Sequence, residues 1–89
     1  MATVIIEKLN EEQIKARGIE SWPVWEKEPS RFDWEYDSEE QCYILEGEFV
    51  VETDQGDFSV KAGDFVVFQK GFKCTWDIKK GVRKHYYFT

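Results

Sequence analysis

The sequence predicts an all-β domain, a barrel or sandwich of short strands, with one short helix near the N-terminus. Strand-like runs rich in β-branched and aromatic residues recur along the chain, separated by turn signals roughly every eight residues. The 89 residues suffice for one hydrophobic core but not for two. Aromatic residues make up 17% of the chain, a share that disordered sequences lack. We therefore expect a single domain over residues 1–89, with a strand and helix over about 3–18 and the barrel over about 22–89.

The N-terminal segment contains the signals for a strand followed by a helix. Residues 3–8 form a β-branched run, and Asn10 with Gln13 has the spacing of a capping box. Gly18 is suited to end the helix. The sequence therefore predicts a strand over residues 3–8 and a helix over residues 11–17.

The remaining chain predicts strands and turns only. The expected strands cover residues 24–28, 31–36, 41–46, 49–53, 58–61, 65–69, 74–78 and 82–88. Turns are predicted at several glycines, among them Gly47 and Gly81.

Alternation of apolar and polar residues assigns faces to these strands. Phe32, Trp34 and Tyr36 share one face of their strand, and Cys74, Trp76 and Ile78 share one face of theirs. In the last strand the residues of one parity are Val82, Lys84, Tyr86 and Phe88. A lysine among apolar neighbours needs a partner, and Glu40 is the candidate counter-ion.

Composition argues against several classes of partner and compartment. A net charge of −6 makes nucleic acid an unexpected partner, because binding to phosphates depends on basic patches. No apolar stretch approaches the roughly 18 residues of a membrane span, so no membrane partner is expected. Two cysteines, Cys42 and Cys74, are too few for a disulfide scaffold, which favours a reducing, cytoplasmic location.

Two motifs resemble those of the cupins. The first is the spacing from Glu40 to Gly47, and the second opens with Gly63-Asp64, continues to Gly71 and ends at Cys74. More narrowly, the chain resembles the small single-domain cupins related to ureidoglycine aminohydrolase and the ethanolamine-utilisation cupin domains. The supporting segments are Trp22-Pro23-Val24-Trp25-Glu26, Phe32-Asp33-Trp34, Cys42-Tyr43-Ile44-Leu45-Glu46-Gly47, Cys74-Thr75-Trp76 and Arg83-Lys84-His85-Tyr86. The resemblance implies a cupin-type jelly-roll β-barrel.

The same resemblance shows where this chain departs from metal-binding cupins. The two histidine positions of the first motif hold Trp34 and Tyr36, or Asp33 and Glu35 in a longer spacing, and the histidine position of the second holds Cys74. Of four implied ligands only Glu40 remains. We therefore expect no metal and no other cofactor. A site built from Glu40, Cys74 and either Cys42 or His85 is the alternative.

The candidate binding pocket combines the inward faces of these strands. Its expected residues are Trp34, Tyr36, Glu40, Cys74, Trp76 and Tyr86. Glu40 and Lys84 are the candidate catalytic acid and base. Cys74 is either a nucleophile or an inert core residue. Trp22 and Trp25 flank Pro23 and are expected at a sheet edge or at the contact of a homodimer.

Three functions are compatible with these residues. The preferred one is a small-molecule-binding cupin with a metal-free aromatic cavity. The resemblance to the aminohydrolase implies an alternative, an enzyme acting on a small nitrogenous or carbonyl compound through Glu40 and Lys84. The third is a structural domain that folds and dimerises without a ligand.

Overall fold

The structure, a computed structural model, describes residues 4–89, and the expected strand residue Thr3 lies outside them. The elements in chain order are β1 (Val4–Lys8), α1 (Glu11–Ala16), a 3-10 helix (Ile19–Ser21), β2 (Val24–Lys27), β3 (Arg31–Glu35), β4 (Glu40–Thr53), β5 (Gly56–Lys61), β6 (Asp64–Phe68) and β7 (Lys73–Phe88). The predicted all-β class with one short N-terminal α-helix is confirmed.

Helix α1 begins at Glu11, where the sequence predicts, and ends at Ala16, one residue before the predicted end. The Asn10 side chain accepts a hydrogen bond from the Gln13 backbone N–H at 2.8 Å, and the Gln13 side chain accepts one from the Asn10 N–H at 3.0 Å. Gly18 then adopts a φ of 65°, the left-handed conformation that glycine tolerates best. The helix therefore ends in a reversal that leads the chain towards β2.

The barrel is built on two long antiparallel strands, β4 and β7. Near its start, β4 pairs with β6 and with the end of β7; further along it pairs with β5 and with the start of β7. The end of β7 also pairs with β2, and its start with β3. One layer therefore has the order β1-β6-β4-β7-β2, and the other has the order β5-β4-β7-β3. This is the two-layer arrangement of a jelly roll.

The turns predicted at Gly47 and Gly81 are wrong, because both glycines lie inside strands. The register between β4 and β7 shifts near Gly47, whose φ is 99°. A Cβ atom at Gly47 would overlap the carbonyl oxygen of Gly81. The two glycines thus allow close approach of the strands at an irregularity, and four predicted short strands become two long bent ones.

The core fills the space between the layers and is mostly apolar. Its fully buried side chains include Ile44, Phe49, Val51, Phe68 and Val82. Two charged residues, Glu40 and Lys84, are also buried within the barrel. In the described part of the chain, no helix has the length and apolar character needed to cross a membrane.

Candidate functional site

An aromatic cavity of about 370 Å³ is lined by residues of β2, β3, β4 and β7. The side chains that line it are Trp25, Lys27, Phe32, Trp34, Tyr36, Glu40, Trp76, Lys84, Tyr86 and Phe88. The structure thus brings together five of the six residues expected in the pocket, and Lys84 with them. Its volume lies within the range of pockets that hold small ligands, roughly 300–1,000 Å³.

Strand pairing explains why these side chains converge. Both β2 and β3 pair with β7, which places Trp25 opposite Lys84 and Phe32 opposite Trp76. The Trp25 and Trp76 rings meet edge to face with centroids 5.9 Å apart. Indole rings from two strands therefore form one wall of the cavity.

A buried ion pair forms the base of the cavity. Lys84 Nζ lies 2.6 Å from Glu40 Oε2, and each side chain is only 6% exposed. The Cys42 thiol donates to the same Oε2 at 2.9 Å, and Cys42 Sγ lies 3.3 Å from Lys84 Nζ. We call these three residues, Glu40, Cys42 and Lys84, the polar floor.

The environment of the polar floor fixes its protonation. Burial works against the positive charge of Lys84, but Cys42 and Glu40 outweigh it and raise the lysine pKa. Burial also raises the pKa of the Cys42 thiol well above its usual value. At neutral pH the floor therefore holds an ammonium ion and an uncharged thiol beside the Glu40 side chain.

Tyr36 lies beside the polar floor and is almost fully buried. Its hydroxyl oxygen accepts a hydrogen bond from Trp76 Nε1–H at 3.1 Å, and its ring stacks on Phe68 with centroids 4.6 Å apart. Burial, with Cys42 and Glu40 nearby, raises the pKa of the phenol far above its usual value. The hydroxyl therefore remains a hydrogen-bond donor.

Cys74 does not line this cavity. It contributes instead to an open depression that also includes Asp33, Glu35 and Glu52. Burial raises the pKa of its thiol to about 11, so the group is protonated at neutral pH and is a poor nucleophile. We therefore leave Cys74 out of the candidate site.

Other residues considered from the sequence take different positions. His85 places Nδ1 2.9 Å from the carbonyl oxygen of Trp22, and Trp22 stacks on Tyr87 with centroids 5.3 Å apart. Trp25, expected at a sheet edge or a dimer contact, lies on the edge strand β2 and also lines the cavity. The sequence alone did not identify Trp25 as a wall residue or Cys42 as part of the floor.

The donor atoms at the floor do not fit a metal ion of the kind that metal-binding cupins hold. In residues 4–89, no three His, Cys, Asp or Glu side chains form a group that could hold one. The Glu40 carboxylate already has an ammonium ion 2.6 Å away, and the Cys42 thiol is held in its protonated form. A metal ion needs deprotonated ligands and would be repelled by Lys84.

Comparisons with known proteins agree with this architecture. The family model for the EutQ-like cupin domain matches residues 14–86. A DUF861 family protein from Thermotoga maritima is 48% identical, with a TM-score of 0.94, over 98% of this chain and 100% of that one. A DUF861 family protein of unknown function from Pseudomonas syringae is 29% identical, with a TM-score of 0.67, over 74% of this chain and 29% of that one. The Clostridium difficile EutQ protein shares the fold at 21% identity and a TM-score of 0.68, over 98% of this chain and 68% of that one. A search of the curated proteins found no match.

Proposed function

The chain belongs to the EutQ-like cupin domain family, and from that premise we propose that its barrel binds a small molecule in the aromatic cavity. The observation that carries the proposal is the polar floor, a buried ion pair at the base of an otherwise aromatic cavity. Apolar walls with a few convergent polar groups are the usual composition of a ligand site.

The energetics of the floor favour a role beyond folding. Desolvating two charges is costly, and an apolar pair of similar volume is often equally or more stabilising by about 1–4 kcal/mol. The Glu40–Lys84 pair nevertheless lies among Trp25, Trp76 and Tyr86. A polar floor retained in an apolar setting is better explained by recognition of a ligand than by stability alone.

The charge state of the floor supports binding more than acid–base catalysis. Lys84 is protonated at neutral pH and hydrogen-bonded to Glu40, so it cannot act there as a base. The Cys42 thiol is likewise protonated and fully buried. The proposal therefore assigns Glu40 to ligand recognition, with Lys84 as its buried counter-ion.

The proposal is tested with a matched pair of aromatic variants. Trp34 lines the cavity and Tyr87 does not, yet the two are 50% and 49% exposed. A panel of small aromatic amides, amines and carboxylates is screened for an increase in melting temperature. Compounds that bind in the cavity should lose affinity several-fold in Trp34→Ala and keep it in Tyr87→Ala. The proposal fails if no compound raises the melting temperature, or if every such rise is the same in both variants.

A further inference from the structure

The Glu40 carboxylate has one oxygen engaged and one oxygen free. Oε2 accepts hydrogen bonds from both Lys84 and Cys42, whereas Oε1 has no hydrogen-bond partner within residues 4–89. Within residues 4–89, every side-chain oxygen or nitrogen that is fully buried has a hydrogen-bond partner. Because Oε1 has no partner, it must retain some accessible surface. Because Glu40 lines the cavity and is 4% exposed overall, that surface faces the cavity. Oε1 can therefore accept a hydrogen bond from a ligand in the cavity.

The Tyr36 hydroxyl provides the complementary donor. Its oxygen accepts from Trp76, and no acceptor for its own O–H lies among residues 4–89. Tyr36 is 3% exposed and also lines the cavity. The interior therefore presents one open acceptor and one open donor to a ligand in the cavity.

The ammonium group of Lys84 is already satisfied. It donates to Glu40 and Cys42, and it lies 4.9 Å from the ring centroids of both Trp25 and Trp76. These cation–π contacts occupy its remaining side. A ligand anion at the floor would consequently have to displace existing partners of Lys84.

The charges of the floor also balance. Glu40 and Lys84 contribute one negative and one positive charge at a desolvated site. The third charged residue of the lining, Lys27, is exposed and lies over the Phe32 ring at 5.7 Å, where solvent screens it. A ligand head group with a net charge would lose its hydration at this floor without gaining a counter-charge.

The walls favour a flat ligand body. The Phe32 and Trp76 rings lie 5.9 Å apart with an interplanar angle of 21°. Trp34 meets Tyr36 at 77° with centroids 6.4 Å apart, and half of its surface remains exposed. Aromatic faces and edges of this kind pack best against a planar ring.

We infer that the ligand is an uncharged, planar amide or lactam, whose N–H donates to Glu40 Oε1 and whose carbonyl accepts from the Tyr36 hydroxyl. This inference rests on the proposed function and specifies the ligand class of the same cavity. An amide carries a donor nitrogen and an acceptor oxygen on the same carbonyl carbon and has no net charge. It therefore matches the two open groups and the balanced floor together.

The test uses three probes of similar size, namely benzamide, benzoate and benzylammonium. Their dissociation constants for the wild-type chain are measured at neutral pH by ligand-observed NMR titration. Benzamide should bind at least tenfold more tightly than either ion. Equal or tighter binding of an ion, or no binding of benzamide, would overturn the inference.

Charge-altering variants test whether the floor sets this selectivity. Glu40→Gln leaves the positive charge of Lys84 without its partner. The affinity for benzoate relative to that for benzamide should therefore rise at least tenfold. Lys84→Met leaves the negative charge of Glu40 without its partner and should raise the affinity for benzylammonium relative to that for benzamide. Tyr87→Phe removes a hydroxyl outside the cavity and should change no ratio. Unchanged ratios in both floor variants, with folding verified by circular dichroism, would also overturn the inference.

The outcomes separate this inference from the function on which it rests. If an ion binds best and Trp34→Ala weakens it, the cavity is a binding site and only the ligand class is wrong. If none of the three probes and none of the wider panel binds, both proposals fail.

Discussion

Replacing Glu40 with glutamine should strongly destabilise the fold. The substitution preserves the shape of the side chain but removes the charge that lies 2.6 Å from Lys84 Nζ. With both side chains only 6% exposed, water cannot take over the role of the lost carboxylate. Removing one partner of such a buried pair costs about 3–5 kcal/mol, because the remaining charge stays desolvated.

That loss is large relative to the whole stability of the domain. At about 0.05–0.15 kcal/mol per residue, a chain of this size has a free energy of unfolding of roughly 4–13 kcal/mol. Each kcal/mol corresponds to about 4–8 °C in the melting temperature of a domain of this size, so Glu40→Gln should lower it by at least about 12 °C. Urea and thermal unfolding followed by circular dichroism measure both quantities.

An exposed ion pair nearby provides the matched control. Arg83 Nε lies 3.4 Å from Glu26 Oε1, and these side chains are 48% and 71% exposed. Glu26→Gln should therefore cost less than about 1 kcal/mol. If Glu40→Gln costs no more than Glu26→Gln, the attribution of stability to desolvated charge is refuted.

A double substitution separates the loss of a partner from the loss of a favourable pair. Glu40→Gln combined with Lys84→Met removes both charges and should be more stable than Glu40→Gln alone. If the change in the free energy of unfolding of the double variant equals the sum of the changes in the two single variants, Glu40 and Lys84 are not energetically coupled.

Four further outcomes are expected. Burial raises the pKa of Cys74 from 9.0 to about 11. As the pH rises, the unfolded chain therefore releases this proton before the folded chain does, and the free energy of unfolding should fall between pH 9.0 and about pH 11. Urea titrations should show a smaller fall over this range in Cys74→Ala. Gly47→Ala should lower the free energy of unfolding by about 2 kcal/mol or more, because it combines an unfavourable positive φ with backbone overlap. Gly81→Ala, whose Cβ would make only ordinary van der Waals contacts, should cost less in the same unfolding assay. The purified chain should carry no stoichiometric transition metal, and elemental analysis giving about one zinc, iron, manganese or nickel per chain would contradict this. Light scattering at micromolar concentration should give the mass of a dimer, and a single-chain mass would count against self-association.

Local sequence signals were sufficient for much of the fold. The helix could be predicted because the capping box of Asn10 and Gln13 involves atoms only three residues apart. The glycines were misinterpreted because a glycine between two apolar runs suits a turn and a strand irregularity equally well. Only the approach of β7 to β4 distinguishes the two cases at Gly47, and that approach is non-local.

The candidate site was partly predictable for a related reason. Period-two alternation identifies the face of a strand, and it correctly grouped Lys84 with Tyr86, both of which line the cavity. It does not give the depth along the strand, so it placed Cys74 in the same pocket although this residue lies at the start of β7, ten positions from Lys84. Trp25 was missed because its role depends on the pairing of β2 with β7, which no local pattern encodes.

The position of Lys84 explains how this barrel can keep the glutamate of a metal-binding motif without the other ligands. A buried carboxylate needs a positive partner, and Lys84 Nζ supplies that charge 2.6 Å from Glu40 Oε2. An ammonium group differs from a metal ion because it has three donors and no vacant coordination position. Two of these donors are directed to Glu40 and Cys42, and the two tryptophan rings lie around the rest. In the proposed site, the free oxygen of Glu40 and the hydroxyl of Tyr36 would contact the ligand, so that hydrogen-bond complementarity rather than charge would determine which ligand binds.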